Sequence, residues 1–424
     1  MIAVAWDEIA ALGLGTLEGR GDVVTGIKAD SRLVGPGDLF VALNTGVEFV
    51  ADARGRGAAT LVPHDQFAAL AALAGLVRSK STARVVAVVG STGKTSTKDI
   101  LGALCSAVVP TVWAEESQNN EIGLPLTVCR LESETMVLVT EMGMRGLGQI
   151  AELCEIARPH LALVTSIGPE HLELVGTVEN VARANAEAID ALPPGGVAVV
   201  PAGVPELEPG LTRSDIDVRR FDPASVARDG DLWRFTVAGE TLLLDLPFDA
   251  RHMAGNTLAA LTAYHALGLP LDRAQEGVSR IAISPWRGET TELPGGGFVV
   301  NDAYNANPTS MRAALIDLSE RADGRRRVAI LGEMAELGEA SAAYHREIGA
   351  LLAELGVDVL VAVGTAARDY LEPGVDEMRW LPAAEGFDDL LQPGDAILVK
   401  ASRAVGLEGV PSAIAKVAER WSES

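Results

Sequence analysis

The chain has 424 residues, 48% of them apolar, and a formal net charge of −23. That length predicts about three domains at the usual ~100–200 residues each, and the apolar share supplies a core and excludes global disorder. A chain this acidic repels phosphodiester backbones, which excludes nucleic acid as a default partner and requires any phosphate ligand to be met by a local positive site or by bound cations.

The opening MIAVAWDEIA has no basic stretch and meets an acid at Asp7, so no secretory leader is expected. Residues 1–81 read as a helix-like start, short strands in VVTGIKADS, GDLFVAL and AATLV, and a helix over FAALAALAGLVRSK, together a small α/β unit. RVVAVVG (84–90) then opens a buried strand, a glycine turn and a helix from about Thr95. Further apolar strands follow in MVLVTEMG (136–143), LALVTSIG (161–168) and VAVVP (197–201), separated by helical stretches at 146–157 and 178–191. Strand–helix alternation at this spacing predicts a parallel sheet covered on both faces. From 215 to 247 the runs DVRRF, LWRFTVAG and TLLLDL predict an antiparallel extension of the same domain, followed by helices near 254–267 and 273–281. ELPGGG (292–297) reads as a linker, and α/β alternation resumes in FVVNDAY, RRVAILGE, VDVLVAVG and DAILVKAS, each trailed by a helix-like stretch. The longest apolar run, Ile100 to Ala114, holds Gly102 and Pro110 and falls short of the ~20 residues of a membrane span. Cys105, Cys129 and Cys154 lie in apolar runs without a C-x-x-C pair, which predicts reduced thiols and a cytoplasmic protein.

GSTGKTST (90–97) carries the clearest chemistry. Gly90 and Gly93 let backbone N–H groups approach phosphate oxygens, Lys94 can reach the β- and γ-phosphates, and Thr95 can place a hydroxyl on Mg²⁺ ahead of a helix N-terminus. Val88 stands where the longer G-x-x-x-x-G-K-[ST] form has glycine, so the match is G-x-x-G-K-T. A chance glycine turn with a surface lysine is the alternative, disfavoured because the loop follows a buried strand and opens a helix. Glu141 ends a second strand, where a carboxylate faces the ligand crevice of a parallel sheet and can hold Mg²⁺ opposite Thr95. His171 follows another strand of that sheet, although a lone histidine is more often structural than a ligand. His345 in AAYHREIG reads as a residue on a helix face, and NDAYNANP as a strand with an Asn/Pro turn.

Taken in order, GSTGKTST, SQNNEIGLPLT (117–127), VTEMGMRGLGQI (139–150), SIGPEHLELVG (166–176), NDAYNANPTSM (301–311) and LGEMAELG (331–338) resemble the Mur ligases, and among them the branch that adds D-alanyl-D-alanine. The resemblance runs from about Asp30 to the C-terminus. It implies an α/β protein of three domains: an N-terminal UDP-sugar domain (1–81), a central P-loop ATPase-like domain with a parallel sheet (82–294), and a C-terminal Rossmann-like ligase domain (295–424). The implied reaction belongs to peptidoglycan precursor synthesis, and so to cell shape and division. ATP phosphorylates the terminal carboxylate of UDP-N-acetylmuramoyl-tripeptide, the amine of D-Ala-D-Ala attacks the acyl phosphate, and phosphate and ADP leave. The cofactors implied are ATP and Mg²⁺, and a cytoplasmic monomer is expected.

Carried over residue by residue, the resemblance gives ATP to Gly90, Ser91, Thr92, Gly93, Lys94, Thr95, Ser96, Asn256, Arg287, Asp302 and Asn305, with His252, Tyr304 and Asn307 beside it. It gives the metals to Thr95, Glu141 and His171, catalysis to Lys94 and His171, and the UDP-substrate to Asp30, Ser31, Arg32, Asn119 and Asn120. Lys400, Ser402 and Arg403 fall on the D-Ala-D-Ala side. The chain departs from the family in four places. TGVEFVADARGR replaces a glycine–histidine segment, KASR replaces KGSR, Ser166 replaces an asparagine, and Asn185 stands where the family has a carbamylated lysine for the second Mg²⁺. Two other readings follow from these departures: a Mur-like ATP-binding protein with weak or no ligase turnover, or a Mur-type ligase with different substrates.

Overall fold

The computed structural model describes residues 1–19, 21–371 and 374–422. Its N-terminal unit is a four-stranded sheet in the order Gly15–Glu18, Ala59–Pro63, Asp38–Val41, Gly26–Lys28. Helix Gln66–Ser79 starts where the Asp65 carboxylate accepts the N–H groups of Phe67 and Ala68, at 2.9 and 3.0 Å. Its buried residues, Leu70, Leu73, Ala74 and Val77, fall at helical spacing. They pack into one apolar cluster with Leu39 and Leu61 of the first sheet and with Val85, Leu124 and Leu138 of the next unit. The first unit is therefore welded to the second through a shared core.

The central sheet has six strands, all parallel, in the order Asp217–Phe221, Val197–Pro201, Leu161–Val164, Arg84–Val89, Val137–Glu141, Thr111–Trp113. Alternate residues of Arg84–Val89 serve opposite faces. Val85, Ala87 and Val89 join the cluster shared with the first unit, while Val86 and Val88 pack against helices Lys94–Ser106 and Arg251–Ala266. Successive connections leave Arg84–Val89 in opposite directions across the sheet, so its C-terminal end is the switch point where a doubly wound sheet opens a crevice.

The region 215–247 differs from the expected antiparallel extension. DVRRF pairs parallel to Val197–Pro201 as the edge of the central sheet, and only Ala227–Asp229, Leu232–Val237 and Glu240–Leu244 form a separate antiparallel sheet. A charged, half-exposed sequence reads like a meander strand, yet an edge strand needs apolar contacts on one face only.

The C-terminal sheet runs Glu289–Leu293, Gly297–Asp302, Ala396–Lys400, Arg327–Gly332, Val359–Val363, Glu377–Leu381. The segment expected to be a linker, 292–297, is instead the turn of a hairpin. Glu289–Leu293 pairs antiparallel with Gly297–Asp302, and Gly295 and Gly296 supply φ of 90° and 91°. The passage between the sheets therefore lies before Glu289. Glu377–Leu381 is a strand that the apolar pattern did not announce, because EMRWL is half-exposed at the sheet edge. Val359–Val363 is followed by a short 3₁₀ turn, Ala366–Tyr370, rather than a full helix. Among the described residues no helix is long and apolar enough to cross a membrane.

Candidate functional site

The loops at the C-terminal ends of the parallel strands of the two sheets face one another across a cavity of about 600 Å³. On the central side, the glycine-rich loop is strapped to the segment after Leu161–Val164. Ser91 N–H donates to Ser166 O (2.9 Å), Thr92 N–H to Ser166 Oγ (2.9 Å), and Thr165 Oγ1–H to Thr92 O (2.6 Å). Gly90 and Gly93 sit at φ of 128° and 79°. A Cβ on Gly90 would lie 2.3 Å from Thr165 Oγ1, and one on Gly93 would lie 2.5 Å from Asn256 Oδ1, so no larger residue fits either position. Gly93 caps helix Lys94–Ser106, whose first residues, Lys94, Thr95 and Ser96, line the cavity and whose first N–H groups lack intrahelical acceptors.

Lys94 Nζ folds back onto Gly90 O and lies 3.5 Å from Glu170 Oε2. Thr95 Oγ1 is 3.4 Å from Ser117 Oγ. Glu141 is 1% exposed, its Oε1 accepts from Asn119 Nδ2 at 2.8 Å, and its Oε2 is buried with no hydrogen-bond partner among the described residues. A buried carboxylate oxygen left unpaired is costly unless a cation meets it. Thr95 lines the same cavity, and together the two hard oxygen donors fit Mg²⁺. Among the described residues no group of three or more His, Cys, Asp or Glu side chains could hold an ion alone, so substrate oxygens and water must complete any coordination. His171 stands at φ 50°, its Nδ1 against Glu336 Oε2 and its Nε2 4.0 Å from Glu170 Oε2.

Asn120 lines the cavity while its Oδ1 caps helix Gly123–Val128 through the N–H groups of Ile122 and Gly123. His252 lines it too. Its Nδ1 is buried without a partner among the described residues, and desolvation holds the imidazole below its usual pKa, opposed by Asp317 and Asp302.

The C-terminal domain supplies the other wall. Arg287 reaches Ser117 Oγ at 3.3 Å and lies 4.0 Å over the Tyr304 ring. Lys400, 2% exposed, donates to Asp302 Oδ2 (2.6 Å) and Asn305 O (2.9 Å), so it organises the DAYNANP turn. Asn307 caps helix Pro308–Arg321 and donates from Nδ2 to Ser91 O at 3.4 Å, a direct contact between the C-terminal domain and the phosphate loop.

Of the residues singled out in the sequence, Ser91, Thr92, Gly93, Lys94, Thr95, Ser96, Asn119, Asn120, Glu141, His171, His252, Asn256, Arg287, Asp302, Tyr304, Asn305, Asn307 and Lys400 meet at this cavity, while Gly90 shapes the loop from behind without lining it. Asp30, Ser31 and Arg32 do not. Asp30 and Arg32 form an exposed fork at 2.6–3.1 Å, and the guanidinium holds the Asp30 carboxyl down to about 2. Ser402 does not line it either, since its Oγ joins Ala335 N–H to Ala306 O, and Arg403 lies over Trp286 and against Glu408. Asn185 is buried and turned back along its own helix, its Nδ2 donating to Val181 O at 2.9 Å. Glu187 caps the helix Gln149–Ala157 through Gly148 and Ala151 N–H groups and is no stand-in. His345 is a fully buried core residue rather than a helix-face one. Its Nε2 accepts Met334 N–H at 3.0 Å. Sequence reasoning gave no role to Glu170, Glu336 or Lys98. Glu170 adjoins His171 in SIGPEHLELVG, a signal that was available. Lys98 carried none, because a lysine in a helix is ordinarily read as exposed.

Residues 88–264 match the family model of the Mur ligase middle domain, and residues 286–403 that of the Mur ligase, glutamate ligase domain. The chain is 31% identical over 396 residues to the UDP-N-acetylmuramoyl-tripeptide–D-alanyl-D-alanine ligase of Escherichia coli (strain K12), covering 86% of each. It superposes on MurF from Acinetobacter baumannii with a TM-score of 0.85 at 26% identity, covering 98% of this chain and 99% of that one. With MurF ligase from Thermotoga maritima, solved in complex with ADP, the TM-score is 0.80 at 25% identity, covering 93% and 98%.

Proposed function

The chain belongs to the Mur ligase family, and from that premise we propose that it is the ATP-dependent ligase that joins D-alanyl-D-alanine to UDP-N-acetylmuramoyl-tripeptide in peptidoglycan precursor synthesis. The observation that carries this reading is the meeting of residues of GSTGKT and DAYNANP in one cavity that Glu141 also lines, its buried Oε2 without a partner among the described residues. We assign the domains to about 1–81, 82–285 and 286–424, and take the protein as a cytoplasmic monomer.

In this reading the glycine-rich loop and the start of helix Lys94–Ser106 cradle the triphosphate. Lys94 leaves Gly90 O to meet the β- and γ-phosphates, and Arg287 and Asp302 hold the nucleotide from the C-terminal side with Asn256 and Asn305. Thr95, Glu141 and His171 would hold Mg²⁺, which when bound supplies charge neutralisation where two anions approach. The substrate carboxylate attacks the γ-phosphorus, giving an acyl phosphate and ADP. The amine of D-Ala-D-Ala then adds to the carbonyl, and the tetrahedral adduct expels phosphate. In this role Lys94 stabilises the transferring phosphoryl group, and the protein acts by positioning and charge. Asp30, Ser31 and Arg32 remain for the UDP end, and Lys400 and Ser402 support the amine side by fixing the loops that border it.

ADP release is to be measured with UDP-N-acetylmuramoyl-tripeptide, with and without D-Ala-D-Ala, alongside the mass of the product. An amide product that needs both substrates supports the proposal. ADP without amide product points to another amine or acid substrate, and ATP binding without ADP points to a non-turning-over relative.

A further inference from the structure

We propose that Glu336 is a positioning residue that couples docking of the C-terminal domain to cation binding at His171; this rests on the reading of His171 as a metal ligand. Glu336 lies in the loop after strand Arg327–Gly332, outside the cavity, at φ 60°. Each of its three acceptor oxygens is engaged, and every partner lies in the central domain. Oε2 meets His171 Nδ1, Oε1 accepts from Arg145 Nη2 at 3.0 Å, and the carbonyl oxygen accepts Glu173 N–H at 3.1 Å. The loop is fixed from behind. Met334 and Leu337 are 1% and 2% exposed, Met334 N–H is held by His345 and Ala335 N–H by Ser402 Oγ. A carboxylate on a rigid loop thus reaches one ring nitrogen across the domain boundary.

A neutral imidazole has one N–H and one lone pair. With a carboxylate on Nδ1 the proton stays there, and the lone pair is left on Nε2, the nitrogen that faces Glu170 and the cavity. When the C-terminal domain swings away, Glu336 leaves with it, and the ring loses both its orientation and the partner that makes it a better donor. By linkage, a cation on Nε2 favours docking by the same factor that docking favours the cation. The Arg145–Glu336 pair alone does not account for the arrangement, since Arg145 is 70% exposed and such pairs contribute little.

The test is an Mn²⁺ titration read by electron paramagnetic resonance, with a non-hydrolysable ATP analogue present and small-angle scattering on the same samples. Glu336→Ala should weaken the affected Mn²⁺ site about 10–100-fold, the usual effect of losing a carboxylate behind a ligating histidine, and the Mn²⁺ needed for compaction should rise by the same factor. Glu336→Gln still offers an oxygen to Nδ1–H and should recover part of the loss. If Gln is as weak as Ala, the ion pair with Arg145 is responsible and the proposal is overturned. If His171→Gln weakens Mn²⁺ binding and Glu336→Ala does not, the proposal falls while the metal reading stands. If His171→Gln leaves Mn²⁺ binding intact, the metal reading itself fails and takes the proposal with it.

Discussion

Replacing Asp99 by asparagine should destabilise the central domain by about 3–5 kcal/mol, the cost of breaking a buried ion pair by removing one partner. Lys98 is 0% exposed and its ammonium uses all three hydrogens, on Asp99 Oδ1 (2.5 Å), Ala114 O (2.8 Å) and Glu116 O (2.9 Å). The other Asp99 oxygen accepts both the N–H (2.9 Å) and the Oγ–H (2.7 Å) of Ser284. The carboxylate therefore has donors on both sides. An amide has one oxygen, so its NH₂ must face either the ammonium or Ser284. Against a typical total of ~5–15 kcal/mol this is a large loss. The double variant Lys98→Met with Asp99→Asn should recover most of it, because no unpaired charge remains in the core. Urea unfolding of the single and double variants measures both numbers. Ser284 precedes Trp286 and Arg287 by a few residues, so Asp99→Asn should also raise the KM for ATP. A single variant within ~1 kcal/mol of the parent, or a double variant no better than the single, refutes the reasoning.

Lys94→Ala should abolish ligation and weaken ATP binding while the melting temperature holds, because the side chain lines the cavity and its loss opens no core void; a stable and fully active variant would remove the phosphate-loop assignment. Desolvation holds the His345 imidazole below its usual value, so it folds neutral, and its contribution is present above about pH 6.5 and lost as pH falls from there toward the lower folded value. The urea midpoint should therefore drop between pH 7.5 and 5.5, and drop less in His345→Gln; an equal drop in both would clear His345 of the effect. Asn185→Lys should restore the residue that the family carbamylates, raising turnover at low Mg²⁺ and making it bicarbonate-sensitive. An unchanged Mg²⁺ dependence means that position 185 does not face the metal.

The central sheet was legible because its strands are continuous apolar runs. Val85–Val89 and Leu161–Val164 are buried on both faces, and short apolar runs of this length bounded by turn residues read as covered parallel strands. The elements that sequence reasoning misjudged are edge strands. DVRRF and EMRWL are half-exposed, with Phe221 their one buried residue, and their charges mimic a loop or a meander. ELPGGG looked like a linker because glycine pairs mark both linkers and tight hairpins, and only the pairing partner, Gly297–Asp302, distinguishes the two. The residues that pair across long sequence distances were invisible in principle. His171 and Glu336 are 165 positions apart, and Asp99 and Ser284 are 185 apart.

Net charge shows most clearly where composition stops informing about a site. The chain carries 58 acidic and 35 basic residues, yet four cationic side chains (Lys94, Arg145, Arg287, Lys400) and four acidic ones (Glu121, Glu141, Glu170, Asp302) line the cavity. The excess negative charge therefore lies elsewhere, where it favours solubility and repels polyanions. Three of these four cations already have carboxylates, Lys94 with Glu170, Arg145 with Glu336 and Lys400 with Asp302. Arg287 has none within ion-pair distance among the described residues; it rests on the Tyr304 ring with its Nε unpaired. An anion entering from solvent thus meets one cation free of internal competition on the C-terminal wall. On the opposite wall it meets a lysine 3.5 Å from its acid, a contact long enough to exchange for a closer one. A nucleotide that spans the two walls gains both cations only when the domains are docked, so the charge arrangement makes binding of the triphosphate and closure one event.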